Sequence, residues 1–302
     1  MNEVDLVPLS VCVATRNRPD LLERGLRSLV DARPCPAQVV VSDDSDDGEE
    51  AAAVCASFAD ESAHTEIKYV RGPRVGLSAN RNSCIAEATQ PWLLFLDDDA
   101  GLFEDSLVHF AELTSEGERV ITGLEHNGEP NPRIVEPRET DFWGVQRLMP
   151  DLDDLHVIVI NATLMPRRIF ESVRFDEVLR YGSDEVDIAR QARGLGFEIV
   201  HKTQFKTWHR PSYSDRQEYS ERLATSIVYA TLKDKLLIRR NLLGALVYLL
   251  LGPAKVTLHR AKRNGCPWRW SGWRALNPMP VVRGLWSLKE ARRAWQPAVI
   301  ER

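Results

Sequence analysis

The sequence predicts an α/β protein, a mostly parallel sheet flanked by helices with a C-terminal helical, basic extension. Three observations carry that prediction. Short apolar runs alternate with helical periodicity through the first hundred or so residues, as in successive strand-helix-strand units. Acidic or polar clusters follow those runs at the strands' carboxyl ends, where open α/β sheets bind their ligands. Charge is also segregated: residues 235–302 hold 14 Lys and Arg against 2 Asp and Glu, leaving 25 against 42 for residues 1–234.

Residues 9–14 form the first apolar run, broken by Thr15, Arg16, Asn17, Arg18 and Pro19. Leu21, Leu22, Leu26, Leu29 and Val30 then recur at helical spacing. A second strand, residues 39–41, ends in Ser42-Asp43-Asp44 before an Ala-rich helix reaching Phe58. Residues 66–70 make a third strand and residues 72–76 a loop, and Ser78-Ala79-Asn80-Arg81-Asn82 opens a helix to Ala88. The amino terminus of that helix, with Arg81, is expected to make an anion site. Trp92-Leu93-Leu94-Phe95-Leu96 is apolar throughout, which suits a strand buried on both faces of a parallel sheet. Asp97, Asp98 and Asp99 follow it. Adjacent carboxylates repel one another, and a divalent metal with oxygen ligands is the most economical partner for them.

In the second half, a helix is expected near residues 105–115 and a strand at 120–122. Residues 125–154 lose periodicity and carry Pro130, Pro132, Pro137 and Pro150, the mark of a functional loop such as a lid or substrate wall. A strand at 157–160, a short helix at 166–173, and an amphipathic helix capped by Ser183 follow. Asp184 and Glu185 stand in the first turn of that helix, Gly194 and Gly196 end it, and residues 197–201 read as the last strand. Trp208 and His209 close this part.

Beyond residue 216 the chain reads as helical and increasingly basic. Residues 241–254 are uncharged and mostly apolar, but Gly252-Pro253 interrupts them and they fall short of the roughly 20 residues needed to cross a bilayer. No spanning helix is expected. Trp268, Trp270, Trp273, Trp286 and Trp295 share the basic tail, a pairing that suits an anionic membrane surface. No nucleic acid partner is expected, because the tail lacks a reading motif. The five cysteines include no Cys-x-x-Cys pair and read as reduced thiols, and no apolar signal segment opens the chain. A cytoplasmic protein, peripheral on the cytosolic face of the membrane, is therefore expected.

Taken in order, Val11-x-Val13-x-Thr15-x-Asn17-Arg18, Val39-Val40-Val41-Ser42-Asp43-Asp44, Asn80-Arg81-Asn82, Phe95-Leu96-Asp97-Asp98-Asp99 and Asp184-Glu185 resemble the family 2 glycosyltransferases of GT-A fold. The resemblance covers about residues 8–214, and implies a catalytic domain over 1–214 with an extension over 215–302. It implies that Thr15, Arg16 and Asp43 hold the nucleoside, that Arg81 reaches the diphosphate, and that Asp97 and Asp98 line the donor with Asp98 at the ribose. Asp99 and His209 would hold the metal, Mg2+ or Mn2+. The family's helix begins Glu-Asp with the second acid as general base; here the order is Asp184-Glu185, which points to Glu185 as base and Asp184 as its neighbour. The Gln-x-x-Arg-Trp signature of processive synthases is absent, so one sugar per encounter is expected. The implied reaction moves a hexosyl or deoxyhexosyl unit, with inversion, from a nucleotide-diphosphate sugar to a glycan, lipid-linked or small-molecule acceptor.

Other classes share parts of this pattern. A strand ending in acids also fits a P-loop NTPase, but no Gly-x-x-x-x-Gly-Lys-Ser/Thr occurs. Asp97-x-Asp99 is also similar to the nucleophile motif of haloacid-dehalogenase phosphatases, yet Ala100-Gly101 lacks the hydroxyl residue that follows there. A non-catalytic nucleotide-sugar or membrane-binding protein with a decayed site remains the third alternative.

Overall fold

The computed structural model describes residues 6–62, 64–147, 155–180, 182–211 and 216–263. The apolar runs become four strands, β1 (Leu6–Thr15), β2 (Cys35–Asp43), β3 (Glu66–Arg71) and β4 (Trp92–Asp97). Helices α1 (Pro19–Asp31), α2 (Glu49–Glu61) and α3 (Leu77–Glu87) connect them. All four strands are parallel: β1 pairs with β2 on one side and β4 on the other, and β2 pairs with β3. Register places Thr15 beside Asp43 and Ala14 beside Asp97, so the acidic strand ends leave the sheet along one edge.

Trp92 to Leu96 are all buried, as their composition requires. Leu94 and Leu96 join Leu22, Leu26 and Phe58 on the face covered by α1 and α2, whereas Leu93 and Phe95 join Cys84, Ile85 and Ile188 on the other. Phe95 meets Phe170 and Phe175 edge-on, with ring centroids 5.4 and 4.9 Å away. Cutting such a ring back to alanine costs about 3–5 kcal/mol, so the strand that carries the aspartates is firmly anchored.

The rest of the chain closes the sheet. It comprises β5 (Ala100–Leu102), α4 (Phe110–Ser115), β6 (Val120–Asn127), β7 (Arg133–Val135), β8 (Glu139–Thr140), β9 (Gln146–Arg147), β10 (Thr163–Pro166), α5 (Ile169–Ser172), α6 (Asp184–Gly194) and β11 (Ile199–His209). Strand order is β3-β2-β1-β4-β10-β6-β11-β5, with β7 on β6 and β8-β9 as a separate hairpin. β10 runs antiparallel to both β4 and β6, and β11 returns parallel to β6, which brings His209 to the edge that bears Asp97.

Several expectations need correction. Val157, Ile158 and Val159 are buried and Ile160 partly so, but residues 157–160 form no strand; Val159 N donates to Thr122 Oγ1 at 3.1 Å and the chain turns through Ile160–Ala162 before β10 begins. The turn aims Asn161 at the site, and that demand overrides the β-branched character of the run. Ser183 stands at the helix start, but its side chain caps nothing. It has φ 63°, and Gly182 before it has φ 77°, so two left-handed residues swing the chain sharply into α6. A Cβ on Gly182 would also lie 2.6 Å from Leu223 Cδ1. The helix expected from residue 105 begins at Phe110, and the last strand runs on to His209. The long loop holds the end of β6, β7 and the β8-β9 hairpin.

A second layer follows: α7 (Arg216–Lys233), a π-helical turn (Asp234–Ile238) and α8 (Leu242–Arg263). Val228, Tyr229 and Leu232 pack with Leu179 and Tyr248, and Trp143 of the β8-β9 hairpin joins them. Lys233 Nζ lies 2.7 Å from Asp176 Oδ2 and 2.8 Å from Asp187 Oδ2, an almost wholly buried cluster that ties α7 to α6. Among the described residues, no helix is long and apolar enough to cross a membrane. The five tail tryptophans and Cys266 lie outside the described residues; the other four cysteines are buried and free.

Candidate active site

The site is assembled at the carboxyl edge of the sheet from two strand ends, the turn after one of them, and one helix start. Asp97 ends β4, Asp98 and Asp99 form the turn after it, His209 ends β11, and Asp184 and Glu185 open α6. One ligand atom from each of Asp97, Asp99 and His209 lies within 4.8 Å of the others. Two carboxylates and an imidazole at that separation fit a divalent cation such as Mn2+ or Mg2+.

His209 is held from both sides, with Nε2 3.0 Å from Asp99 Oδ1 and Nδ1 3.1 Å from Glu125 Oε1. Burial alone would lower its pKa, but hydrogen bonds to Asp99 and Glu125 push it up to about 10. A proton on the imidazole thus offsets the carboxylates, and metal binding at this position must release it. For Glu125, burial acts to raise the pKa, but His209, Asn127 and Asn161 outweigh it and hold the carboxyl below its ordinary value. Asn161 links the two halves of this shell. Its Nδ2 donates to Glu125 Oε2 at 3.0 Å and to Asp97 Oδ2 at 3.3 Å, while its Oδ1 accepts from Asp97 N at 2.9 Å.

Asp98 turns the other way. It accepts from Thr15 Oγ1 at 2.9 Å and lies 3.3 Å from Arg18 Nη1, which also approaches Asp99 at 3.7 Å. Burial, against the opposing charge of Arg18, pushes Asp98 up to about 6.

Arg81 joins the two acidic motifs. Nη2 sits 2.9 Å from Asp97 Oδ1, Nη1 donates to Asp184 Oδ2, and the guanidinium lies over the Phe175 ring. Burial would lower its pKa, but Asp184, Asp97 and Glu185 together hold it above the ordinary value. Asp184 is buried and engaged by this arginine, whereas Glu185 is only partly covered. Burial first, then repulsion from Asp184, raises Glu185 to about 7. Gln146 Nε2, in the β8-β9 hairpin, donates to Glu185 Oε1 at 3.3 Å.

The nucleoside-side residues are placed less uniformly. Asp43 is fully buried and accepts from Tyr69 Oη at 3.0 Å, Arg71 Nη1 at 3.1 Å and Ser45 N at 2.7 Å. Arg16 is exposed and faces Asp46 at 3.8 Å. At the amino terminus of α3, Leu77 N donates to Arg180 O at 3.3 Å, and Arg81, one turn further on, engages Asp97 and Asp184. Two surface depressions, one lined by Asp105, His109 and Lys206 and one by His156, Arg190 and Arg239, include none of these residues. The chemistry is located by its carboxylates rather than by concavity.

Sequence reasoning missed Glu125, Asn161 and Tyr69. Glu125 left a signal as the first acid after the apolar run of β6, and Asn161 as an amide directly after Val157 to Ile160.

Residues 10–174 match the family described as "Glycosyl transferase family 2". No curated protein matches the sequence. Among solved structures, TarS of S. aureus aligns with a TM-score of 0.54 and 17% identity, over 76% of this chain and 40% of that one. GalNAc-T7 with UDP, GalNAc and Mn2+ aligns with a TM-score of 0.60 and 16% identity, over 74% and 47%. TarS 1-349 in complex with UDP-GlcNAc gives a TM-score of 0.56 and 16% identity, over 76% and 67%. The chain thus spans less than half of the first two of these proteins, and at these identities the likeness speaks for the fold, GT-A, alone.

Proposed function

The chain belongs to glycosyl transferase family 2, and we propose that it moves one sugar, with inversion, from a nucleotide-diphosphate donor to an acceptor hydroxyl. The observation that carries this is the link, through Arg81, between the cluster of Asp97, Asp99 and His209 and Asp184, whose neighbour Glu185 is a partly accessible acid. Solved neighbours bound to UDP or UDP-GlcNAc make a uridine diphosphate sugar the first donor to try.

Asp99, His209 and Asp97 would hold the divalent ion, which supplies Lewis-acid stabilisation of the charge left on the departing diphosphate. Thr15 and Asp98 line the donor side, with Asp98 at the ribose and Asp43, braced by Arg71, behind it. On the far side of the sugar, Glu185 accepts the proton of the attacking hydroxyl. A carboxyl near pH 7 is matched to that task, because it is substantially ionised and still basic. Asp184 is held by Arg81, which leaves Glu185 to face the acceptor. Gln146 orients Glu185, so the β8-β9 hairpin serves as the acceptor wall.

A thermal-shift panel of nucleotide sugars, with and without Mn2+, followed by product analysis, tests this reading. A metal-dependent shift with turnover is expected. A shift without hydrolysis or transfer to any acceptor would favour the non-catalytic binder.

A further inference from the structure

We propose that the outward face of α8 docks this protein on an anionic lipid surface. The helix turns Ala245, Tyr248 and Gly252 inward and leaves Leu242, Leu243, Leu246, Leu250 and Leu251 more than half exposed, with Leu243 at 75% and Leu250 at 71%. Single exposed leucines are ordinary, but these recur over three turns of one helix, with Leu243, Leu246 and Leu250 at the spacing of a single face.

Charge identifies the occupant. Residues 235–263 contain no Asp or Glu; Arg239 pairs with Asp234 at 3.0 Å, but Arg240 also precedes α8, and Lys255, Arg260, Lys262 and Arg263 lie in its second half. An apolar stripe with cations toward both ends matches acyl chains beneath anionic headgroups. A second copy of this face would bring like charges together. The helix has 22 residues, so it is about 33 Å long. It cannot cross a bilayer by composition and would lie in the plane of the interface.

The inward face explains what docking would accomplish. Tyr248 Oη donates to Trp143 O at 3.3 Å, and its ring lies 6.3 Å from those of Phe142 and Trp143. Both aromatics belong to the hairpin whose Gln146 holds Glu185. A docked α8 therefore holds the acceptor wall close to the lipid, which points to a lipid-linked acceptor. Docking itself does not rest on the transfer reaction.

Flotation of the full chain with phosphatidylcholine vesicles, with and without phosphatidylglycerol, is the test. The full chain should float with the anionic vesicles at low salt, and partitioning should fall about tenfold or more at high salt. Leu243→Glu/Leu246→Glu/Leu250→Glu should abolish flotation while circular dichroism and the melting temperature stay as in the parent chain. Arg240→Glu/Lys255→Glu should weaken only the preference for anionic vesicles. A parent chain that stays at the bottom at low salt would overturn the proposal, as would flotation unchanged in the triple-leucine variant. A dimer in light scattering that this variant dissolves, without vesicle binding by the parent, would give the face to a second copy and also overturn it.

Discussion

The two acidic clusters of the site are supported by different parts of the chain. Asp97, Asp98 and Asp99 leave a strand buried on both faces, and His209 and Arg18 neutralise them at close range. Asp184 and Glu185 leave a helix entered through two left-handed residues and backed by α7, with the β8-β9 hairpin across its mouth. The first cluster is fixed by the sheet and suited to binding. The second depends on later elements, and its outer carboxyl keeps a pKa near neutrality suited to proton transfer. One arginine, Arg81, couples them.

Breaking the second cluster alone should have the largest effect. Glu185→Gln is expected to lower transfer about a hundredfold to ten-thousandfold while donor affinity stays within error. The base must be ionised, so parent activity should fall as pH drops below about 7, and rate against pH with donor at saturation measures that limb. Loss in Asp184→Asn with activity retained in Glu185→Gln would exchange the two roles.

The support of that cluster can be tested separately. Lys233→Met leaves Asp176 and Asp187 buried without their shared cation, which should destabilise the fold by about 3–5 kcal/mol in denaturant titration. A loss under 1 kcal/mol would mean that α7 is not part of the scaffold of α6.

A smaller effect is expected behind the first cluster. Glu125→Gln removes the negative charge that braces the His209 ring, and metal affinity should drop about tenfold to a hundredfold, read by Mn2+ titration without donor. Metal binding by the parent should tighten as pH rises toward about 10, because the imidazole must shed its proton. The same pKa governs the metal-free fold. Its folded value lies above the unfolded 6.5, so this contribution to stability is complete below about 6.5 and lost through about 10. The smallest effect belongs to Arg16→Ala. An exposed ion pair of that kind is worth about 0–1 kcal/mol, so denaturant titration should show a loss of stability no larger than about 1 kcal/mol.

The strand-borne cluster was legible because its signals are local. Five apolar residues followed by three acids specify both a buried strand and what stands at its mouth. Glu185 was legible by position on its helix, though the structure adds why it, rather than Asp184, faces outward. What sequence hid depends on distant pairing. Glu125 and Asn161 gain their roles only when β6 and β10 come beside β4 and β11. Residues 157–160 read as a strand because burial and β-branching are shared by strands and by buried turns. Lys233 meets Asp187 across 46 residues, a contact that no local pattern announces.

Calorimetry of one nucleotide sugar, with and without Mn2+, on the parent, Asp99→Asn and Glu185→Gln tests the separation of the clusters most directly. The expected result is metal-dependent affinity in the parent and in Glu185→Gln, and its loss in Asp99→Asn with the melting temperature preserved. Metal-dependent affinity unchanged in Asp99→Asn, or lost equally in Glu185→Gln, would contradict the account.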